Sequence, residues 1–217
     1  MSPKEYCAQK ALASGSSFYY SFRFLPEAKR DAITAVYAFC REVDDAVDET
    51  SHLEAAHLKL AFWRKEIALV FQGAAHHPVG KALQEIVSHY RIEESELSTI
   101  IDGMAQDLVQ KRYAHADDLN AYCYKVAGVV GVVSAKIFGH QHIDTLRYAV
   151  QLGEALQWIN IIRDVGEDAQ RDRVYLPQDL MRKHAVTNEA LLRGIEQEGL
   201  PHLLAEMSAM ASQKMQH

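Results

Sequence analysis

Apolar residues return every third or fourth position along nearly the whole chain, the spacing that places them on one face of a helix. The pattern predicts helices at about 3–12, 26–50, 53–72, 78–90, 94–112, 117–139, 143–168 and 187–197. Breakers are few, five prolines and 11 glycines in 217 residues, so long stretches run uninterrupted. Pro26 stands at a helix start, where a proline is tolerated, and Gly73 and Gly139 stand where helices stop. The stretch "VAGVVGVVSA" (126–135) is valine-rich and has strand propensity. Its flanks are helical and a lone strand has no partner, so it reads as helix. The final stretch, "LLAEMSAMASQKMQH", also reads as helix and carries no stop signal. No repeat or low-complexity linker divides the chain, which points to one all-α domain over residues 1–217.

Composition narrows the function classes. The net charge of -6 gives no reason to expect a nucleic-acid partner, because that footprint is a basic face. Cys7, Cys40 and Cys123 are an odd count without C-x-x-C spacing. That speaks against a disulfide framework or zinc site and points to a reducing cytoplasm. The opening "MSPKEYCAQKALASGSS" lacks the apolar centre of a secretory signal. No uncharged apolar run approaches the roughly 18 residues of a spanning helix. Peripheral contact with the inner surface of a membrane stays open, and oligomeric state carries no sequence signal.

Two acidic stripes interrupt this pattern. In "YAFCREVDDAVDE" (37–49), helical geometry of about 100° per residue brings Tyr37, Arg41, Asp44 and Asp48 within about 60° of one another. Asp45 lies on the shoulder of that stripe, and Val36, Phe39, Val43 and Val47 occupy a separate packing side. In "LGEALQWINIIRDVGEDAQRDRVYLP" (152–177), Gly153, Gln157, Asn160, Asp164 and Asp168 again share one narrow stripe. There Arg163 leaves the backbone about 100° from Asp164, and Arg171, Arg173 and Tyr175 follow just past the helix end.

A solvated face is the plainer explanation of such charge runs. Solvated faces usually mix Glu with Lys, whereas here Asp stands at both i and i+4. Asp is a poor helix former, and like charges at that spacing destabilise the helix. Carboxylates about 6 Å apart repel by about 3 kcal/mol at an effective dielectric near 20, a cost that divalent cations reverse. Their oxygens select hard cations such as Mg²⁺, which bridges carboxylates to phosphates. Arg41, Arg163 and Arg173 supply the forked donors that phosphate prefers. The spacings therefore favour a metal-bound phosphate site.

Four stretches, "SGSSFYYSFRFLP" (14–26), "YAFCREVDDAVDE" (37–49), "YCYKVAGVVG" (122–131) and "QWINIIRDVGEDAQRDRVYLP" (157–177), resemble the squalene/phytoene synthase family. The first is most similar to the hopanoid-pathway branch that makes presqualene diphosphate. The resemblance implies an all-α isoprenoid synthase fold, with helices around a central apolar cavity and two facing Asp-rich motifs. It implies Mg²⁺ as cofactor, held by Asp44 and Asp48 and by Asp164 and Asp168. Ser17, Arg41, Gln157, Asn160 and Arg163 match positions that contact diphosphate or order the metal shell, and Arg173 is a further phosphate donor. Tyr37 and Tyr122 match tyrosines at the reacting centre, where one is a candidate to take a proton. Asp107, in "GMAQDL", also matches a family acid.

The implied reaction is head-to-head condensation of two farnesyl diphosphates to presqualene diphosphate with release of diphosphate. Phytoene synthesis from geranylgeranyl diphosphate, or continuation to dehydrosqualene or squalene, is the alternative. No G-x-G-x-x-G turn is present for a nicotinamide cofactor, and "GVVG" at 128–131 does not qualify. Two departures stand out. Asp172 occupies the place where the family usually has glycine, which Asp tolerates better than most residues. Relatives also continue through further helices, so this domain is expected to lack C-terminal helices. A wall of Leu97, Val126, Val130 and Ile159 should then be partly exposed.

Other classes fit less well. A head-to-tail elongating enzyme repeats D-D-x-x-D, whereas the second motif here is "RDVGED". A di-iron bundle needs two E-x-x-H pairs, and only Glu54–His57 supplies one. A non-catalytic scaffold has no reason to keep paired Asp stripes. His76 and His77 are expected in a solvent-facing loop beside Pro78, Trp63 and Trp158 as packing residues, and Cys40 and Cys123 as small buried apolar groups. Gly128 and Gly131 either let helices approach or leave room for a prenyl tail.

Overall fold

The helical periodicity is realised throughout the structure, a computed structural model that describes residues 1–15, 17–48 and 52–216. The side chains of Ser17 and Phe18 also lie outside the described part. Among the described residues there is no strand, only an isolated parallel bridge between Arg112 and Val174. The chain forms two compact units, one of residues 1–108 and 133–141, the other of 109–132 and 142–217.

The first unit is built on α3 (Glu27–Asp48), against which α1 (Pro3–Ala13), α2 (Ser17–Phe22), α4 (Leu53–Phe71), α5 (Pro78–Ile86) and α6 (Glu94–Asp107) pack. A capping box starts α1, with Ser2 Oγ accepting from Glu5 N and Glu5 Oε2 from Ser2 N. These bonds satisfy donors that a helix start otherwise leaves open. The expected seam of α3 is buried, including Val36, Phe39, Val43 and Val47. Phe39 meets Trp63 edge to face with centroids 5.6 Å apart. Each large apolar side chain so removed from water contributes about 1.5–3 kcal/mol.

One feature of this unit has no periodic signal. Glu66, on α4, is only 2% exposed, and its Oε1 accepts from the backbone N–H of His76 and His77 at 2.8 and 2.7 Å. The carboxylate thus closes the α4–α5 loop, and a Cβ on Gly80 would sit 2.2 Å from the same oxygen. His76 is exposed as expected, but His77 is not free in solvent. Its Nδ1 caps α5 by accepting from Val79 N, and its ring packs on Tyr6, Phe62 and Trp63. Burial lowers its pKa, which keeps the capping nitrogen unprotonated.

In the second unit, α7 (Ala116–Cys123) runs through a π-helical turn (Tyr124–Gly128) into α8 (Val129–Phe138), whose last residues, from Val133, belong to the first unit. The 28-residue α9 (Ile143–Gln170) packs on α7, the π turn, α11 (Asn188–Leu192) and α12 (Leu200–Lys214), and α10 (Gln178–Lys183) packs on α12. Gly153 and Gly131 make the approach to α9 possible. A Cβ on either would stand 2.4 Å from Ala127 O or 2.2 Å from Ala149 O. Gly131 thus serves close helix packing.

Boundaries depart from expectation where local chemistry intervenes. The valine-rich stretch is helical, but the π turn within it was not foreseen. α6 ends at Asp107 instead of running to 112, and the helix begun near 187 stops at Leu192, before Gly194 with φ 64°. α2 and α10 are too short to show a period. Residues 49 and 50, assigned to the end of α3, lie outside the described residues. The 23-residue helix Ala116–Phe138 is long and apolar enough to cross a membrane by length and composition. Leu119, Tyr122, Cys123, Val133 and Ile137 are nevertheless core residues. Trp63 and Trp158 are core residues as expected. Cys123 is buried as expected, as is Cys7, whereas Cys40 is only half-buried, which corrects the expectation for it. Desolvation pushes the thiols of Cys7 and Cys40 up to about 12. Of the expected apolar wall, Leu97 is fully buried in the first unit, which corrects the expectation, while Ile159 is 40% exposed.

Candidate functional site

Tyr37, Arg41, Asp44 and Asp48 occupy one stripe of α3, separate from its buried seam. Tyr37 Oη lies 2.9 Å from Ser14 Oγ, which itself donates to Ala11 O, and its ring stands edge-on to Phe22. The ends of α1 and α2 therefore fix this tyrosine. The Arg41 fork is divided: Nη1 donates to Asp44 Oδ2 at 2.6 Å and Nη2 to Asp45 Oδ1 at 2.8 Å. This pairing is how α3 tolerates three aspartates within five residues. Asp45 also meets Lys10 Nζ at 2.7 Å, and Lys10 reaches Glu42 at 3.3 Å, which accepts from Tyr6 Oη. Burial opposes the Lys10 charge, but Asp45 and Glu42 outweigh it and hold its pKa above the ordinary value. Asp48 is exposed at the end of α3, and Asp107 is buried at the end of α6. Ser17 opens α2, with its side chain outside the described part.

The second stripe lies on α9. Gln157 and Asn160 face each other at 3.5 Å, the limit of a hydrogen bond. The backbone directions of Arg163 and Asp164 differ as helical geometry requires, yet the long arginine side chain folds back. Its Nε and Nη2 donate to Asp164 Oδ1 and Oδ2, both at 2.6 Å. The angular separation inferred for these two residues thus holds for the backbone only. The Arg163 guanidinium pulls the Asp164 carboxyl below its ordinary pKa.

Past α9 the chain turns through Asp172, which takes the left-handed conformation at φ 58°. That is the backbone a glycine adopts without strain, and Asp tolerates it. Asp172 Oδ2 and Oδ1 accept from Lys111 Nζ at 2.7 Å and Arg112 Nη2 at 2.8 Å. Arg173 follows and lines a small recess with Asp168 and Tyr175. Tyr122 is buried in a cluster with Tyr113 and Tyr175, its ring centroid 5.5 and 5.3 Å from theirs.

Sequence reasoning missed Lys10, Glu42, Ser14 and Tyr113. Each reaches its partner from another helix or loop, so no spacing along the chain announces it. Among the described residues no group of three His, Cys, Asp or Glu side chains gathers to hold a metal. The donors still fit Mg²⁺, which is commonly bound by one or two carboxylates together with substrate phosphates instead of a full protein cage.

A profile described as squalene/phytoene synthase matches residues 12–216. The chain is 39% identical over 184 residues to a presqualene diphosphate synthase of Rhodopseudomonas palustris, covering 84% of this chain and 66% of that protein. It is 34% identical over 203 residues to a 15-cis-phytoene synthase of Synechococcus elongatus, covering 88% of this chain and 66% of that one. It thus spans just under two thirds of these relatives. A crystal structure of a dehydrosqualene synthase in complex with ligand superposes with a TM-score of 0.90 at 30% identity, over 98% of this chain and 74% of that one. The fold is therefore the all-α isoprenoid synthase fold.

Proposed function

Because the chain belongs to the squalene/phytoene synthase family, we propose that it is a prenyltransferase joining two farnesyl diphosphates head to head to give presqualene diphosphate. The observation that carries this reading is the repeated construction on α3 and α9, two aspartates one turn apart beside an arginine that already binds an acid oxygen. The likeness of the stretch at 14–26, rich in serine and tyrosine, to the hopanoid-pathway branch supports the shorter substrate.

In this reading Asp44, Asp48, Asp164 and Asp168 hold Mg²⁺, which when bound neutralises diphosphate charge. Arg41, Arg163 and Arg173 donate to the diphosphate oxygens, and Ser17, Gln157 and Asn160 orient them. Charge stabilisation aids departure of one diphosphate and leaves an allylic cation. The double bond of the second molecule attacks it. Loss of a proton, with Tyr37 and Tyr122 as candidate acceptors, closes a cyclopropane that keeps the second diphosphate. This step requires surroundings that keep water from the cation. In this reading the protein is cytoplasmic, in peripheral contact with a membrane that takes up the prenyl chains of the amphiphilic product.

Product analysis with farnesyl or geranylgeranyl diphosphate, Mg²⁺ and no reductant tests it. Presqualene diphosphate is the expected product. A dominant C₄₀ product overturns the farnesyl assignment in favour of phytoene synthesis, and no coupled product from either substrate overturns the whole reading.

A further inference from the structure

We propose that Lys10 and Asp45 are positioning residues that aim the Arg41 guanidinium, an inference that rests on the reading of Arg41 as a diphosphate donor. A carboxylate beside a free guanidinium ordinarily takes both donors of the fork. The Arg163–Asp164 pair does so, with two bonds of 2.6 Å to one carboxylate. Arg41 does not. Its Nη1 goes to Asp44 and its Nη2 to Asp45.

Lys10 accounts for the difference. Its ammonium takes Asp45 Oδ2 at 2.7 Å, leaving Oδ1 for Arg41. Lys10 is in turn held by Glu42, which Tyr6 anchors from the same face of α1. The side chains of Lys10, Glu42 and Asp45 are 24%, 15% and 16% exposed, sheltered enough that this arrangement is only partly screened by water. Both Asp45 oxygens are thereby committed to protein cations, so Asp45 takes no metal. That leaves Asp44 and Asp48 as the metal-ligand candidates of the first acidic motif, with the Arg41 fork divided between Asp44 and Asp45.

The test compares wild type, Lys10→Met, Lys10→Arg, Asp45→Asn and the Lys10→Met/Asp45→Asn double variant, with circular dichroism as the control for folding. In the ligand-free chain, ¹⁵N NMR of the Arg41 guanidinium should change in Lys10→Met as the fork closes on Asp45, and stay near wild type in Lys10→Arg. With substrate, Lys10→Met should raise KM for the isoprenoid diphosphate about fivefold, the scale of one partly screened ion pair. Its kcat should change by less than about twofold, because a binding contact present throughout the reaction is weakened. In the Asp45→Asn background the same lysine change should cost less than about twofold, since the competing charge is gone. A purely structural lysine would cost the same in both backgrounds and leave the Arg41 signal in place, and either result overturns the proposal. Should wild type form no coupled product, the preceding reading fails while the guanidinium signal still decides the positioning role. Lys10→Gln serves as the second variant if Lys10→Met does not fold.

Discussion

The acidic motifs of α3 and α9 share a spacing but differ in what supports them. On α3 the arginine is part of a chain of charges that reaches Lys10 and Tyr6 on another helix, and its two donors serve two aspartates. On α9 the arginine is 67% exposed at its side chain and closes on the aspartate next to it in sequence. The first arrangement is set by tertiary packing, the second by a local contact that any helix could make. Equal spacing along the chain therefore does not imply equal electrostatic environments.

The largest effect should come from removing an acid on either helix. Asp48→Ala and Asp164→Ala should each lower turnover by a factor on the order of 10² to 10³, the scale for losing one group that stabilises developing charge. Helix content by circular dichroism should be unchanged, because neither residue belongs to a packing seam. Near-normal turnover in either variant would make that motif structural and break the equivalence of the two helices. Asp45→Ala should be milder, since Asp45 positions Arg41 without holding metal.

Next in size is a packing effect confined to α9. Gly153→Val places a side chain against Ala127 O, where even a Cβ would stand at 2.4 Å. Overpacking of this kind destabilises by about 1–3 kcal/mol, read as a lower thermal midpoint. An unchanged midpoint would show that the α9 stripe tolerates a shift of its helix, which its proposed role does not allow.

The smallest effect separates the two arginines. In wild type, Asp164 should titrate below its ordinary value of 3.8 and return toward it in Arg163→Ala, followed by carboxyl NMR. A lowered folded pKa stabilises the protein above the unfolded value, and that contribution is lost as pH falls through the folded pKa. The pair should therefore support stability above about pH 4 and lose its effect in stronger acid. Its exposure keeps the contribution at neutral pH within about 1 kcal/mol, so the thermal midpoint of Arg163→Ala at pH 7 should nearly match wild type.

Much of the molecule follows from periodicity. The seam of Val36, Phe39, Val43 and Val47 and the separate acidic stripe were both legible, because residues three and four apart must share a face of a helix. The two glycine stops were legible because φ of 75° at Gly73 and 85° at Gly139 strains other residues. Asp172 in a left-handed turn could be anticipated from the tolerance of Asp for that conformation. Its grip on Lys111 and Arg112 could not, since those partners lie 61 and 60 positions away. The same limit hid Glu66, whose burial is explained by two loop N–H groups ten and eleven residues on. It also hid the tyrosine cluster around Tyr122 and the hold of Lys10 on Asp45. Sequence by itself determined the helices, the packing seams and which acids share a stripe, because these depend on the geometry of a single helix. The tertiary structure decided the pairings that reach across elements, Lys10 with Asp45 and Lys111 and Arg112 with Asp172, because those bonds join residues that only folding brings within about 3 Å.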